Sequence, residues 1–136
     1  MKIHILIAAL VISIPADFVQ AESAAVDSLL QNYAAQGAAT ADAERGKRMW
    51  EEKFNRDGEF PERSCASCHT QDLTRTGIHV KTNKEIKPMT PSVNPKRLTD
   101  SKKIEKWFKR NCKWTLGREC TALEKADFLA YINKPS

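Results

Sequence analysis

The feature that most constrains this 136-residue chain is a short motif at residues 65–69, which reads Cys-Ala-Ser-Cys-His. Two thiols three positions apart on one turn, Cys65 and Cys68, can each add to a vinyl group of the same porphyrin. His69 is thereby brought to the iron as its proximal ligand. A dithiol redox pair would need a βαβ setting that the sequence lacks, and zinc would need four ligands. The motif therefore predicts one covalently bound haem c.

The first 21 residues have the pattern of a secretory signal peptide. A positively charged start precedes a largely apolar run at residues 3–14, and the small residues Val19 and Ala21 mark a cleavage site. The apolar run is too short to span a hydrocarbon core of ~30 Å. We expect cleavage after Ala21. Residues 22–136 would then be a single monohaem cytochrome domain in the periplasm, with no membrane span.

The net charge of +5 is unevenly distributed along the chain. Residues 22–64 carry nine acids and six bases, whereas residues 81–118 carry twelve bases and three acids. Because an exported chain rarely meets nucleic acid, we expect no nucleic-acid partner. A basic surface can steer an acidic protein partner or an anionic ligand. The alternative is a merely solvated, lysine-rich surface.

The hydrophobic pattern predicts an all-α domain, because no useful stretch alternates apolar and polar residues. Helices are predicted at about residues 24–35, 43–54, 101–110 and 121–132. Gly46 lies in the middle of the second helical face, where it predicts a close approach by another helix. A capping box at Thr121 and Glu124 opens the last helix, and either Thr99 or Asp100 caps the one before it.

The sixth ligand of the iron decides between an electron carrier, which keeps a strong ligand, and a gas-binding protein, which does not. The candidates are Met49, Met89, His79, Asn111 and the lysines. Met89 follows His69 by only twenty residues in a proline-flanked loop, so we expect it to line the haem pocket without binding iron. We expect His79 to be exposed or to lie on the propionate side.

Asn111 follows Ile104 by seven residues and Trp107 by four, so the pattern predicts that it faces inward. A buried amide needs partners, since an unsatisfied one costs roughly 1–3 kcal/mol. The local pattern favours an asparagine in a left-handed conformation at a helix end. A side chain that reaches the iron is the alternative, and both remain open on this evidence.

The remaining cysteines, Cys112 and Cys120, are eight positions apart and lie outside the haem motif. In an oxidising compartment we expect a disulfide between them, because two free thiols are unusual in an exported protein. Closing this loop would stabilise the fold by roughly 2–3 kcal/mol. The bridge would also fix the backbone beside Asn111, which favours a ligand role for that residue.

Several segments resemble the sphaeroides haem protein (SHP) family. They are Lys-Trp-Phe-Lys-Arg-Asn-Cys at 106–112, Gly-Arg-Glu-Cys-Thr at 117–121, Ala-Glu-Arg-Gly at 43–46, Thr-Asn-Lys-Glu-Ile at 82–86 and Pro-Ser at 91–92. The resemblance implies a small class I cytochrome c fold with haem attached at Cys65 and Cys68. It also implies His69 as proximal ligand, Asn111 as distal ligand of the oxidised iron, and a bridge from Cys112 to Cys120.

The resemblance further implies that the asparagine leaves the iron on reduction, after which oxygen, nitric oxide or carbon monoxide binds. A diheme cytochrome c is the electron donor that the family suggests, and nitric oxide dioxygenation is the reaction proposed for it. Whether the chain is an enzyme is left undecided. Two alternatives remain: a plain electron carrier with His69 and Met89 as permanent ligands, and a gas sensor or scavenger whose haem never turns over.

Overall fold

The computed structural model describes residues 23–134. The predicted signal peptide at residues 1–21 and its cleavage site lie outside the described residues. Five helices occur in the described part: α1 (Ala24–Ala35), α2 (Ala43–Glu51), α3 (Ala66–His69), α4 (Ser101–Thr115) and α5 (Ala122–Ile132). The predicted all-α class is confirmed.

Four two-residue strands form two small antiparallel hairpins. They are β1 (Phe54–Asn55) with β2 (Glu62–Arg63), and β3 (Gly77–Ile78) with β4 (Glu85–Ile86). The sequence did not predict them, because two residues are too few to show a strand's alternation. The helical face that was predicted to reach Phe54 was also too long, because α2 ends at Glu51 and Phe54 begins β1.

Polar side chains begin the long helices as the sequence predicted. Asp100, one of two candidates, caps α4 by accepting a hydrogen bond from the backbone N–H of Lys103. Thr121 and Glu124 form the capping box of α5. Each such cap satisfies N–H groups that have no partner inside the helix. The starts of these two helices were therefore readable from their capping residues.

The end of α4 differs from the prediction. The helix continues through Asn111 to Thr115, five residues past the expected end at residue 110. Non-glycine residues with positive φ in the described chain are Thr70, Asn83 and Leu98, so Asn111 is not in a left-handed conformation. The prediction of a left-handed, helix-terminating asparagine was wrong. The physical stop comes later, at Gly117 with a φ of +80°.

Helices α2 and α5 cross in direct contact at Gly46. A Cβ on this glycine would lie 2.1 Å from the carbonyl oxygen of Asp127, so only glycine allows the helices to approach this closely. The Asp127 carboxylate is buried there and accepts hydrogen bonds from Arg45 Nε at 2.7 Å and from the Asp42 N–H at 2.7 Å. The buried charge is thus paired as well as hydrogen-bonded. The predicted close approach at Gly46 is confirmed.

Helix α1 packs its buried residues Val26, Leu29 and Tyr33 into the same core. The Tyr33 hydroxyl donates to the Glu105 carboxylate of α4, which also pairs with Lys125 of α5 at 2.7 Å. Burial, together with the neighbouring Glu105 carboxylate, raises the pKa of Tyr33. This network joins α1, α4 and α5. Within residues 23–134, no helix is both long enough and apolar enough to cross a membrane.

Candidate haem site

The Cys-Ala-Ser-Cys-His motif forms one tight turn. Cys65 precedes α3, whereas Cys68 and His69 lie within it. Two reciprocal hydrogen bonds fix the turn: the Ser67 N–H donates to Ser64 Oγ at 3.0 Å, and the Ser64 N–H donates to Ser67 Oγ at 3.1 Å. Neither Cys65 nor Cys68 is in a disulfide. Both thiols are therefore available on the same turn as the histidine.

The imidazole of His69 is held in an apolar setting. Its ring centroid lies 5.4 Å from that of Trp50. Burial, followed by the charges of Arg97 and His79, lowers the pKa of His69 to about 4. The ring is therefore neutral at pH 7, which is the form that binds a metal. Within the described structure its buried Nδ1 atom has no hydrogen-bond partner. This orphaned nitrogen beside two free thiols fits a covalently attached haem.

Burial raises the pKa of the Cys65 thiol to about 12. The neutral thiol is thus the stable form at this position. Within the described residues, no group of three or more His, Cys, Asp or Glu side chains could hold a metal ion.

Gly77 brings the β3–β4 hairpin directly against the motif. A Cβ on Gly77 would lie 2.0 Å from the carbonyl oxygen of Cys68 and 3.0 Å from Cα of His69. The hairpin thus covers the turn that carries both residues. Gly77 was not predicted to contact the motif, because a single glycine in a loop gives no signal of a long-range contact.

Trp50 connects the motif to the helical core. Its indole Nε1 donates to the carbonyl of Thr70 at 2.9 Å, one residue beyond the histidine. The Trp50 ring also lies 6.3 Å, centroid to centroid, from Phe128 of α5. Phe128 in turn lies 6.3 Å from Phe108 of α4. A continuous series of aromatic rings therefore runs from His69 to α4.

The loop that carries Met89 is fixed by backbone contacts. The Met89 N–H donates to the carbonyl of Leu73 at 2.9 Å, and the half-buried side chain packs against the core. Arg97 donates through Nη2 to the Lys87 carbonyl at 2.8 Å and through Nε to the Pro88 carbonyl at 3.2 Å. The expectation that Met89 lines the pocket without binding iron stays a prediction.

Arg97 is half-buried and forms no ion pair with a carboxylate of the described residues. A guanidinium with a spare donor group fits a carboxylate of the haem. In the sequence, Arg97 is distinguished only as one of the twelve bases at residues 81–118. His79 is half-buried, and its Nδ1 lies 3.1 Å from the Thr82 hydroxyl.

Asn111 lies on the exposed surface of α4. The buried residues of this helix are Ile104, Cys112 and Thr115, and Phe108 packs against the core beside them. Trp107 and Asn111 are therefore not buried against the protein core as predicted, since Trp107 is 43% exposed and Asn111 is also exposed. The buried stripe follows the i, i+4, i+8 spacing of Ile104, Phe108 and Cys112. Trp107 and Asn111 lie one turn apart on an adjacent face.

The structure contains a disulfide between Cys112 and Cys120, whose Cα atoms are 5.6 Å apart. Both residues are buried. The bridge joins the last turn of α4 to the residue before the Thr121 cap of α5. It follows Asn111 directly in the chain, so it limits the movement of the backbone next to that side chain.

Comparison with known proteins places this site in a family. A family model described as a domain of unknown function (DUF1924) matches residues 36–132. The cytochrome c-type protein SHP of Cereibacter sphaeroides is 46% identical over 105 residues, which cover 76% of this chain and 79% of SHP. The chain belongs to the SHP family of c-type cytochromes. It therefore carries one covalently bound haem c.

Solved structures of two c-type cytochromes agree with this family assignment. Oxidised SHP, an oxygen-binding cytochrome c, matches with a TM-score of 0.73 and 42% identity, over 82% of this chain and 98% of SHP. Oxidised cytochrome c'' from Methylophilus methylotrophus matches with a TM-score of 0.69 and 35% identity, over 82% and 98% of the two chains. The solution structure of that cytochrome c'', which addresses haem-ligand detachment, has a TM-score of 0.66, 37% identity and coverage of 79% and 90%. The class I cytochrome c fold is confirmed.

Proposed function

We propose that this chain is a periplasmic monohaem cytochrome that binds diatomic gases in its reduced state. Cys65 and Cys68 attach the haem, His69 is the proximal ligand, and Asn111 is the distal ligand of the oxidised iron. The observation that carries the proposal is the place of Asn111. Its side chain is an exposed amide on α4, and this helix continues past Asn111. The residue directly precedes Cys112, which forms the disulfide with Cys120.

The haem supplies an iron that changes between ferric and ferrous states and can bind a diatomic gas at its sixth position. The amide of Asn111 is a hard, neutral ligand that suits ferric iron and binds ferrous iron weakly. Asn111 is therefore suited to hold the oxidised state and to leave on reduction. The reported haem-ligand detachment in cytochrome c'' and the oxygen binding of SHP support this proposal.

Trp107 and Arg97 fit a bound haem in different ways. Trp107 lies one turn before Asn111 on the same side of α4, and its exposed indole makes that side partly apolar. An exposed aromatic ring beside an unburied amide is typical of a surface that covers a ligand. Arg97 would pair with a haem carboxylate while holding the Met89 loop through the carbonyls of Lys87 and Pro88.

The electron donor that we propose is an acidic redox protein, a diheme cytochrome c by family resemblance. Helix α4 carries six exposed bases, which we call the basic face: Lys102, Lys103, Lys106, Lys109, Arg110 and Lys113. Its one acid, Glu105, is paired with Lys125. The basic face therefore has no acid on its own helix to neutralise it. Because Asn111 lies on the same helix, a partner docked there would approach the site directly.

The reaction that we propose is nitric oxide dioxygenation. One nitric oxide, one dioxygen and one electron from the donor give one nitrate, so atoms and charge balance. A plain carrier with Met89 as permanent ligand and a sensor that only binds gas are the alternatives. The yield of nitrate per electron delivered separates turnover from binding alone.

The ligand assignment is tested by comparing Asn111→Ala with Met89→Leu. Asn111→Ala should change the ferric absorption spectrum to that of a water-ligated or five-coordinate iron, whereas ferrous carbon monoxide binding survives. Met89→Leu should leave both spectra almost unchanged. If Met89→Leu changes the spectra and Asn111→Ala does not, or if the reduced protein ignores carbon monoxide, the chain is a plain electron carrier.

A further inference from the structure

Arg63 links the haem motif to the helix that carries Asn111. It lies two residues before Cys65, at the end of the β1–β2 hairpin. Its Nη1 donates to the carbonyl of Trp114 in α4 at 2.9 Å, and its guanidinium carbon lies 4.5 Å from the centre of the Trp114 ring. The side chain thus contacts α4 through both a hydrogen bond and a cation–π interaction.

The same guanidinium is held on its other side by its own hairpin. Its Nε donates to the Phe60 carbonyl at 2.7 Å, and its Nη2 donates to the Asp57 carbonyl at 3.2 Å. Three directed hydrogen bonds therefore fix its orientation, and one of them crosses to α4. A rigid planar group held in this way fixes the hairpin relative to α4 better than a flexible lysine would.

The contact on α4 is made at the last turn of the helix. The Trp114 carbonyl is one of the final carbonyls that lack a partner inside the helix, and a cation there also complements the helix dipole. Trp114 follows Asn111 by three residues and Cys112 by two. Arg63 therefore holds α4 within one turn of the proposed distal ligand.

A second contact places the same hairpin over the disulfide loop. Gly117 has a φ of +80°, and a Cβ added there would overlap the guanidinium of Arg56. The hairpin at residues 54–63 therefore touches the chain on both sides of the α4 terminus. The disulfide holds this terminus to the start of α5, whereas Arg63 holds it to the segment that enters the haem motif.

We propose that Arg63 is a positioning residue for Asn111. It fixes the end of α4 relative to the turn at residues 65–69, and it thereby sets how completely Asn111 holds the ferric iron and how fast it returns after oxidation. A movement of the α4 terminus away from this turn must break or strain the hydrogen bond from Arg63 to Trp114. The inference rests on the proposed ligand role of Asn111.

The test compares Arg63→Gln with Lys53→Gln in the haem-loaded protein. Lys53 lies just before the same hairpin and pairs with Glu62 at 2.8 Å on the exposed surface, so its removal takes one positive charge without touching α4. The readouts are the resting ferric spectrum and the rate at which it is restored when ferrous protein is mixed with ferricyanide. Carbon monoxide association with the ferrous protein serves as an internal control.

Arg63→Gln should shift the equilibrium toward released Asn111 by at least about fivefold, which is the smallest combined loss expected for one hydrogen bond and one cation–π contact. Restoration of the ferric spectrum should slow, and ferrous carbon monoxide association should not change. Trp114→Leu removes the ring but keeps the backbone carbonyl, so it should give a smaller shift in the same direction. If Arg63→Gln fails to fold, Trp114→Leu alone tests the proposal.

The outcomes separate this inference from the proposed function. If Arg63→Gln and Trp114→Leu match the unmutated protein while Asn111→Ala alters the ferric spectrum, Arg63 has no positioning role and the ligand assignment stands. An equal shift in Lys53→Gln would also overturn the inference, since the effect would then be one of charge alone. If Asn111→Ala leaves the ferric spectrum unchanged, both proposals fall.

Discussion

At the scale of single residues, His69 and Asn111 have opposite surroundings. His69 packs against Trp50, and its backbone lies under the hairpin that Gly77 brings close. Asn111 is exposed and has an exposed Trp107 one turn away. The residue that we propose as the permanent ligand is thus fixed by packing, whereas the residue that we propose to leave the iron projects from the surface of α4.

Gly77→Ala is expected to damage the proximal side. The added Cβ would overlap the Cys68 carbonyl, so the hairpin or the motif must move, at a cost of about 1–3 kcal/mol or more. Thermal unfolding and the yield of covalently attached haem measure the effect. Gly37→Asn is the control, because a Cβ there meets nothing within 4 Å, so this variant carries only the backbone strain of a φ of +87°. Equal losses in both variants would show that the Gly77 contact has no special importance.

Residue types predicted the local arrangement of the motif at residues 65–69 better than the course of α4. The motif at residues 65–69 identifies Cys65, Cys68 and His69 by adjacency, because all three lie on one turn. The positions of Gly77, Arg63 and Arg97 depend on contacts between distant segments, which a single sequence does not encode locally. Asn111 was predicted to lie at the end of its helix, whereas α4 continues past it to Thr115.

At the scale of helices and hairpins, the capping residues were the most reliable signals. Asp100 and Thr121 begin α4 and α5 where the sequence placed them, because a side-chain oxygen followed by a helical pattern is a local property. The end of α4 was misplaced because no residue between Arg110 and Gly117 strongly breaks a helix. The apolar stripe of α4 was also predicted wrongly. Trp107 and Phe108 are adjacent apolar residues, but only Phe108 packs against the core.

The capping box of α5 should make the stability of the fold depend on pH. The Glu124 carboxylate accepts hydrogen bonds from Arg118 and from the Thr121 N–H, and these lower its pKa below 4.5 against an opposing effect of burial. Because folding lowers this pKa, the ionised carboxylate stabilises the fold above about pH 4.5. That stabilisation is lost as the pH falls through the lower pKa of the folded state.

Glu124→Gln should therefore be less stable than the unmutated protein at pH 7, by up to about 1 kcal/mol for a partly exposed pair. The difference should shrink toward pH 3. Urea unfolding at several pH values measures it. Glu62→Gln is the control, since Glu62 forms only an exposed pair with Lys53. A Glu124→Gln deficit that stays constant from pH 7 to pH 3 would contradict the assignment.

At the scale of the whole molecule, the uneven charge predicted from the sequence becomes a defined surface. The basic face of α4 is exposed and lies on the helix that bears Asn111. The described part of the more acidic segment, residues 23–64, contains α1, α2 and the first hairpin instead. Charge on this scale acts on the rate of association more than on the fold.

Reduction by an acidic redox protein should therefore slow as salt rises, because the Debye length falls from ~10 Å at 0.1 M to ~3 Å at 1 M. The double variant Lys106→Gln, Lys109→Gln should lower the low-salt rate and weaken its salt dependence. Stopped-flow reduction at several ionic strengths gives both quantities. Lys53→Gln should behave as the unmutated protein does, and a rate independent of salt would rule out steering by the basic face.

The disulfide between Cys112 and Cys120 also constrains how the protein can mature. Haem attachment at Cys65 and Cys68, as proposed, requires both thiols to stay reduced, whereas Cys112 and Cys120 are oxidised in the same chain. Four cysteines allow three ways of forming two disulfides. Cys65 and Cys68 are even closer in sequence than Cys112 and Cys120, so premature oxidation of the motif would compete directly with cofactor insertion. Biogenesis must therefore supply an oxidant for one pair and a reductant for the other within a single compartment.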